Sequence, residues 1–198
     1  KEKFDLKLPE YKNKSEVFYN IMDFKLMEEK SKEKIEKSFD AKQYNILTVG
    51  RICEEKGQDI IPAIALKLKE KEINYKWYLI GEGEFQIENY IILLGKKLNP
   101  YPYFRNCNLY VQTSRQEGYG LTLTEAKYFL KPIISSNTAG AMEQIVNESN
   151  GIITEFGVDQ FVEQIISLYH DSEKCKCIEK QLQKERIKLI ENKKIEEK

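Results

Sequence analysis

The stretch 45-NILTVGRICEEKGQDIIPAIALKLKEK-71 decides the fold. Asn45 to Gly50 read as a short apolar strand. From Gly57 the period changes, and Ile60, Ile61, Ile64, Leu66 and Leu68 supply most of an apolar face on a helix over 57–71. Outward from this unit the alternation repeats. Strands are expected at 75-YKWYLIG-81, 90-YIILLG-95, 108-NLYVQT-113, 132-PIISS-136 and 151-GIIT-154, and helices at 121-LTLTEAKYFL-130, 139-AGAMEQIV-146 and 158-VDQFVEQIISLYH-170. Short apolar strands separated by amphipathic helices are the pattern of βαβ units. The fold class is therefore α/β, an open parallel sheet of about six strands with helices on both faces.

One crossover stands out. Only a handful of residues separate Gly83 from the strand near Ile92, whereas a parallel crossover usually takes about a dozen or more. The segment 84-EFQIENYI-91 reads as the opening of a helix that is cut short. Either the connection is abbreviated or residues are absent between about Ile91 and Ile92. Absent or disordered residues are the expectation, because a bare strand-to-strand jump makes no right-handed parallel return.

Three segments follow from the patterning. Residues 1–40 are rich in Lys and Glu, with a short β-like piece at 15-SEVFYN-20 and helical character over 23-DFKLMEEKSKEKIEKS-38, and read as a lead-in. Residues 41–170 form the domain, and 171–198 form a charged terminal helix with a thin apolar stripe of Ile178, Leu182 and Leu189. The chain has 198 residues, 41% of them hydrophobic, which suits one domain with extensions. Lys plus Arg and Asp plus Glu are equal at 32 each, with no basic stripe, so nucleic acid is not an expected partner. The longest apolar runs fall far short of the ~20 residues needed to cross a bilayer, and a soluble, cytoplasmic protein is expected. Cys53, Cys107, Cys175 and Cys177 form no CxxC pair, and with His170 as the single histidine they read as reduced thiols, not as a zinc site.

Three constellations carry chemistry, each at the C-terminal end of an expected strand, where ligands bind an open doubly wound sheet. In 48-TVGRICEEKGQD-59, Gly50 lets the backbone approach a ligand, and Arg51 and Lys56 are placed to converge on one diphosphate. Surface cations near loops are also common for no functional reason. In 79-LIGEGEF-85, Gly81 and Gly83 suit a tight turn beneath a nucleotide, or an ordinary strand exit. In 113-TSRQEGYGLTLTEA-126, a glycine-punctuated loop runs into a helix whose free N–H groups near Gly120, Leu121 and Thr122 make an anion site. Glu117 and Glu125, eight residues apart, flank it. A carboxylate accepts two sugar hydroxyls at once, which suits Glu125 for a ribose diol and Glu117 for a hexose. With a strand order 3-2-1-4-5-6, the Arg51/Lys56 loop and the Glu117 loop meet across one crevice.

The order of these motifs resembles family 4 glycosyltransferases (group 1) over roughly residues 15 to 170. The matching strings are 49-VGRICEEKG-57, 79-LIGEGE-84, 92-ILLG-95, 99-NPYPYFRNCNLYVQTSRQEGYGLTLTEA-126, 131-KPIISSNTAGAMEQIV-146 and 151-GIIT-154. The resemblance implies the C-terminal, Rossmann-like half of a two-domain GT-B enzyme that binds a nucleotide-diphosphate sugar, UDP-linked in the family's commonest case. It implies that Arg51 and Lys56 bind the diphosphate, Glu125 the ribose, and Glu117 the transferred sugar at the catalytic centre. Gly118, Tyr119 and Gly120 would line the loop under that sugar, and 92-ILLGK-96 would lie beside the base. The family's retaining reaction is described as front-face attack with neither metal nor cofactor. Polysaccharide, lipid-linked and protein glycans all stay open as acceptors, and peripheral membrane association of the full enzyme is compatible with the resemblance. The segment 17-VFYNIMD-23 looks like the lead from a missing N-terminal domain, so the chain alone is expected to bind donor and transfer nothing. Two alternatives remain at this point: a non-catalytic nucleotide-binding module, and half of a sugar-nucleotide epimerase.

Overall fold

The computed structural model describes residues 2–16, 22–35, 39–85 and 89–196. Six strands form one sheet: β1 (Tyr44–Val49), β2 (Tyr75–Ile80), β3 (Ile91–Leu93), β4 (Leu109–Gln112), β5 (Ile133–Ser136) and β6 (Ile152–Thr154). Their order is β3-β2-β1-β4-β5-β6, and every pairing is parallel. This is the doubly wound arrangement anticipated from the alternating pattern, with its switch between β1 and β4.

Helices cover both faces. On one lie α3 (Ile61–Glu70), α7 (Val158–His170) and α8 (Ser172–Glu196), which pack Ile64, Leu68, Phe161, Ile165, Ile178 and Leu182 against Ile46, Trp77, Leu79 and Val111. On the other lie α2 (Phe24–Lys30), α4 (Tyr101–Asn106), α5 (Leu121–Tyr128) and α6 (Ala139–Gln144). These bury Met27, Phe104, Leu123 and Ala141 against Leu47, Tyr78, Ile80 and Tyr110. Successive strand residues thus enter opposite cores, which is why the central strands read as unbroken apolar runs. Inside the first core, the Trp77 indole N–H donates to the Thr48 hydroxyl at 3.0 Å, and that hydroxyl donates to the Val111 carbonyl at 2.7 Å, tying β2, β1 and β4 together. No described helix is long and apolar enough to cross a membrane.

The expectation of missing residues at 91–92 is corrected. Ile91 and Ile92 are successive residues of β3, in register with Trp77 and Tyr78. The abbreviated connection suffices because β3 pairs only with Trp77 to Leu79. The chain leaving Ile80 must go back roughly 10 Å along the strand direction and about 5 Å sideways, well within what residues 81–90 span when extended.

The lead-in contains α1 (Glu2–Lys7), a 3-10 turn at Pro9–Tyr11, and α2, and α2 ends at Lys30, well before the expected Ser38. Most of the β-like piece at 15–20, residues 17–21 of the 17–23 segment, and residues 36–38 lie outside the described residues. The helix α4 was not anticipated. In the tail, α8 buries Ile178 and Leu182. Of its cysteines, Cys177 is exposed and Cys175 half-buried, and all four cysteines are free.

Candidate functional site

Because β1 and β4 are neighbours, Ile46 opposite Leu109 and Leu47 opposite Tyr110, the segments leaving their C-terminal ends start side by side. The Arg115 and Gln116 N–H groups both donate to the Glu55 carbonyl, at 2.8 and 3.2 Å, and the Thr113 hydroxyl donates to the Lys56 carbonyl at 3.0 Å. Gly57, with φ of 63°, permits this contact: a Cβ there would stand 2.0 Å from the Thr113 carbonyl oxygen. The consequence is that the Lys56 ammonium hydrogen-bonds the Glu117 carboxylate. Their side chains are 26% and 14% exposed, sheltered enough for the pair to matter.

A second clamp, unanticipated from the sequence, holds the same two segments. The Arg115 guanidinium forks onto the Asp59 carboxylate at 2.6 and 2.7 Å, donates to the Glu54 carbonyl at 2.7 Å, and lies 4.5 Å from the centre of the Phe156 ring. The hydrogen bond from Arg115 keeps Asp59 below the usual carboxylate range. An Asp in the short turn leading into α3 and an Arg just after β4 are the signal, once the strand order brings them together.

The loop 117–120 ends at Gly120, which caps α5 in a left-handed conformation. The N–H groups of Gly118, Gly120, Leu121 and Thr122 donate to no backbone carbonyl among the described residues. Gly118 faces open space. The opposite side of the loop rests on α6. There the Gly140 N–H donates to the Glu117 carbonyl at 3.0 Å, and the Gln144 carboxamide donates to the carbonyls of Tyr119 and Gly120.

Glu125 lies one turn into α5, half-buried, and forms no salt bridge or hydrogen bond among the described residues. Burial alone pushes its carboxyl up to about 7. Burial likewise raises the Tyr110 hydroxyl far above its ordinary range, and the charges of Glu125 and Glu117 add to that effect. Both acids therefore lie within electrostatic reach of a hydroxyl that stands 3.4 Å from the Val49 carbonyl at the end of β1. Lys56 and Glu117 thus meet just before α5, and Glu125 lies on that helix.

The remaining expected site residues lie along the same strand ends. Gly50 donates its N–H to the Ile80 carbonyl at 2.9 Å, and Gly81 donates to the Gly95 carbonyl at 3.1 Å, so the exits of β1, β2 and β3 adjoin. Gly81 and Gly83 sit against the carbonyls of Gly50 and Ile52, where a Cβ would come within 2.0 and 2.4 Å. They seat one strand exit on the next. Arg51 is exposed and forms no salt bridge among the described residues. Its charge acts on Glu55, which is held below its ordinary range first by the Cys53 thiol, then by a backbone N–H, and least by Arg51 and Lys56. A cavity of about 500 Å³ lies elsewhere, between Ile52, Cys53, Glu54, Pro62, Phe85 and Arg115. None of Lys56, Glu117 or Glu125 lines it.

Residues 29–185 match the family described as glycosyl transferases, group 1. The chain is 30% identical over 162 residues to the capsular polysaccharide biosynthesis glycosyltransferase CapM of Staphylococcus aureus, covering 75% of this chain and 42% of the relative. Among solved structures, HepE of Anabaena in complex with UDP and glucose superposes with a TM-score of 0.69 at 21% identity, over 79% of this chain and 48% of that one. The C-terminal domain of LpcC, a group 1 family protein of Francisella tularensis, superposes with a TM-score of 0.61 at 25% identity, over 70% of this chain and 82% of that one. The chain spans less than half the length of the first two of these proteins. With the family matched over most of its length and the sheet order of a GT-B half, this chain belongs to the group 1 glycosyltransferases of family 4.

Proposed function

We propose that this chain is the donor-binding domain of a retaining, metal-independent hexosyltransferase, and that the sugar passes to a glycan or lipid-linked acceptor held by an N-terminal domain. The observation that carries the reading is the meeting of Lys56 and Glu117 at the start of α5. A diphosphate resting on the free N–H groups of Leu121 and Thr122 has the helix N-terminus beneath it and Lys56 and Arg51 beside it. Glu117, Gly118, Tyr119 and Gly120 then border the hexose. Glu125 accepts the ribose hydroxyls, and Gly50, Gly81 and Gly83 line the floor near the nucleotide.

In the reaction the bond from the anomeric carbon to the diphosphate oxygen breaks on the face where the acceptor oxygen bonds, and the acceptor proton passes to the departing phosphate. Charge gathers on that phosphate as the bond breaks. Fixed cations and a helix N-terminus neutralise it without reorganising, which makes a metal ion unnecessary. The HepE complex with UDP and glucose supports a UDP-hexose as the first donor to try, and the similarity to CapM supports polysaccharide assembly.

Calorimetric titration with UDP-glucose and GDP-mannose tests the reading. The parent chain is expected to bind one of them, with Lys56→Ala and Glu125→Ala each weakening it roughly tenfold or more, as for loss of a charge-assisted hydrogen bond. Absence of binding by the parent overturns the reading. Transfer by this chain alone to a common acceptor would overturn the need for a second domain.

A further inference from the structure

Gln144, at the end of α6, is 9% exposed. Its carboxamide N–H group donates to the Tyr119 carbonyl and, at 3.2 Å, to the Gly120 carbonyl, while its oxygen accepts from the Thr124 hydroxyl at 2.8 Å. The backbone of the same residue is held as firmly. Its carbonyl accepts from the Lys127 ammonium at 2.8 Å and the Asn150 amide at 3.3 Å, and both of those side chains are tied to Glu185 of α8, at 3.1 and 2.9 Å.

A trans peptide unit points its C=O and the following N–H in opposite directions. Drawing the Tyr119 and Gly120 carbonyls onto α6 therefore turns the Gly120 and Leu121 N–H groups away from it. The Gly140 N–H, by holding the Glu117 carbonyl, does the same for Gly118. Those three N–H groups form no backbone hydrogen bond among the described residues. They bracket Tyr119 between Glu117 and the start of α5. An apolar side chain of equal size would fill the space behind the loop yet leave the Tyr119 carbonyl free to rotate, and with it the Gly120 N–H on the other side, whereas the Gly120 carbonyl would keep its bond from the Leu123 N–H at 2.9 Å.

We infer that Gln144 is a positioning residue of the donor site, which fixes the peptide groups of residues 118–121 so that their N–H groups face the bound sugar nucleotide. The inference rests on the donor-site reading above. Gln144→Glu is isosteric and puts a carboxylate against the two carbonyls. Gln144→Met keeps the length without donor or acceptor.

The sugar nucleotide that the parent binds is titrated into parent and variants, at a temperature well below each melting midpoint. The expected result is an affinity weakened about tenfold in Gln144→Glu and about threefold or more in Gln144→Met, the worth of the hydrogen bonds they lose. In the free variants, the amide resonances of Gly118, Gly120 and Leu121 are expected to shift. A merely structural role would lower the melting temperature and leave both readouts alone. Parent-like affinity in the folded variants overturns the inference while the donor site stands. If Gln144→Glu does not fold, Gln144→Met decides, and unchanged affinity there overturns it equally. A parent that binds no sugar nucleotide removes the donor site and this inference together.

Discussion

The Lys56 ammonium and the Glu117 carboxylate, sixty-one positions apart in the chain, are each other's ion-pair partner across the boundary between β1 and β4. In the proposed donor site, an incoming diphosphate is therefore expected to compete with Glu117 for Lys56. Glu117→Gln removes the competitor and leaves the cation in place. UDP without a sugar is expected to bind this variant about as tightly as the parent or roughly threefold more tightly, whereas Lys56→Met weakens it about tenfold or more. Weaker UDP binding by Glu117→Gln, measured by calorimetry, would show that the acid supports the diphosphate rather than competing for its cation.

If the proposed donor site holds, Glu125 is expected to make donor binding sensitive to pH. Burial raises its carboxyl from the usual 4.5 to about 7, and a ribose diol donates best to the ionised form. Affinity is expected to rise roughly tenfold per pH unit up to about 7 and to level off above it. In the folded chain the pKa lies above the unfolded value, so the native state holds the extra proton between the two. The stability from this group is full below about 4.5 and is lost as pH rises through about 7. Glu125→Gln should flatten both curves, and a pH-dependent affinity that survives the substitution assigns the titration to another group.

Gly57 and Gly118 lie on the two segments that meet at the β1 and β4 exits, and they differ in what they touch. A Cβ on Gly57 would meet the Thr113 carbonyl at 2.0 Å with φ at 63°, and one on Gly118 would meet nothing within 4 Å. Gly57→Ala is expected to destabilise by about 3 kcal/mol or more, and Gly118→Ala to stay within roughly 0.5 kcal/mol. Urea denaturation of the two variants checks this, and equal stabilities would mean that the β1 and β4 exits are not pressed together at Gly57.

The sheet was legible because Ile46 and Leu47, like Trp77 and Tyr78, enter opposite cores, so apolar runs and not alternation mark its strands. The meeting of Lys56 with Glu117 followed from strand order plus position at the strand ends. Other parts depended on packing that no local pattern carries. No element was assigned to 99–107, where Pro100 and Pro102 interrupt any periodic pattern, yet proline suits the first turn of a helix, and Tyr103 and Phe104 bury α4 deeply. The connection into β3 was misjudged because crossover length was weighed without knowing that β3 is three residues long. Gln144 and Arg115 act on backbone carbonyls far away in sequence, which residue type alone does not announce.

Arg115 provides the last separable test. Its fork on Asp59, its bond to the Glu54 carbonyl and its place over Phe156 all need a flat guanidinium, and lysine reproduces only the charge. The side chains are 33% and 56% exposed, so water screens the pair, and Arg115→Lys is expected to cost only about 1 kcal/mol. The sign with pH is opposite to that of Glu125. Asp59 is held below its ordinary 3.8, so its contribution is present above that value and is lost as pH falls through the lower folded one. Arg115→Lys should therefore shrink the stability gap between neutral and acid pH. Because the Arg115 side chain also ties its segment to Glu54 and Asp59, the same variant is expected to weaken sugar-nucleotide binding about twofold to threefold, a loss smaller than for Lys56→Met. Binding lost as completely as in Lys56→Met would mean that Arg115 touches the donor itself.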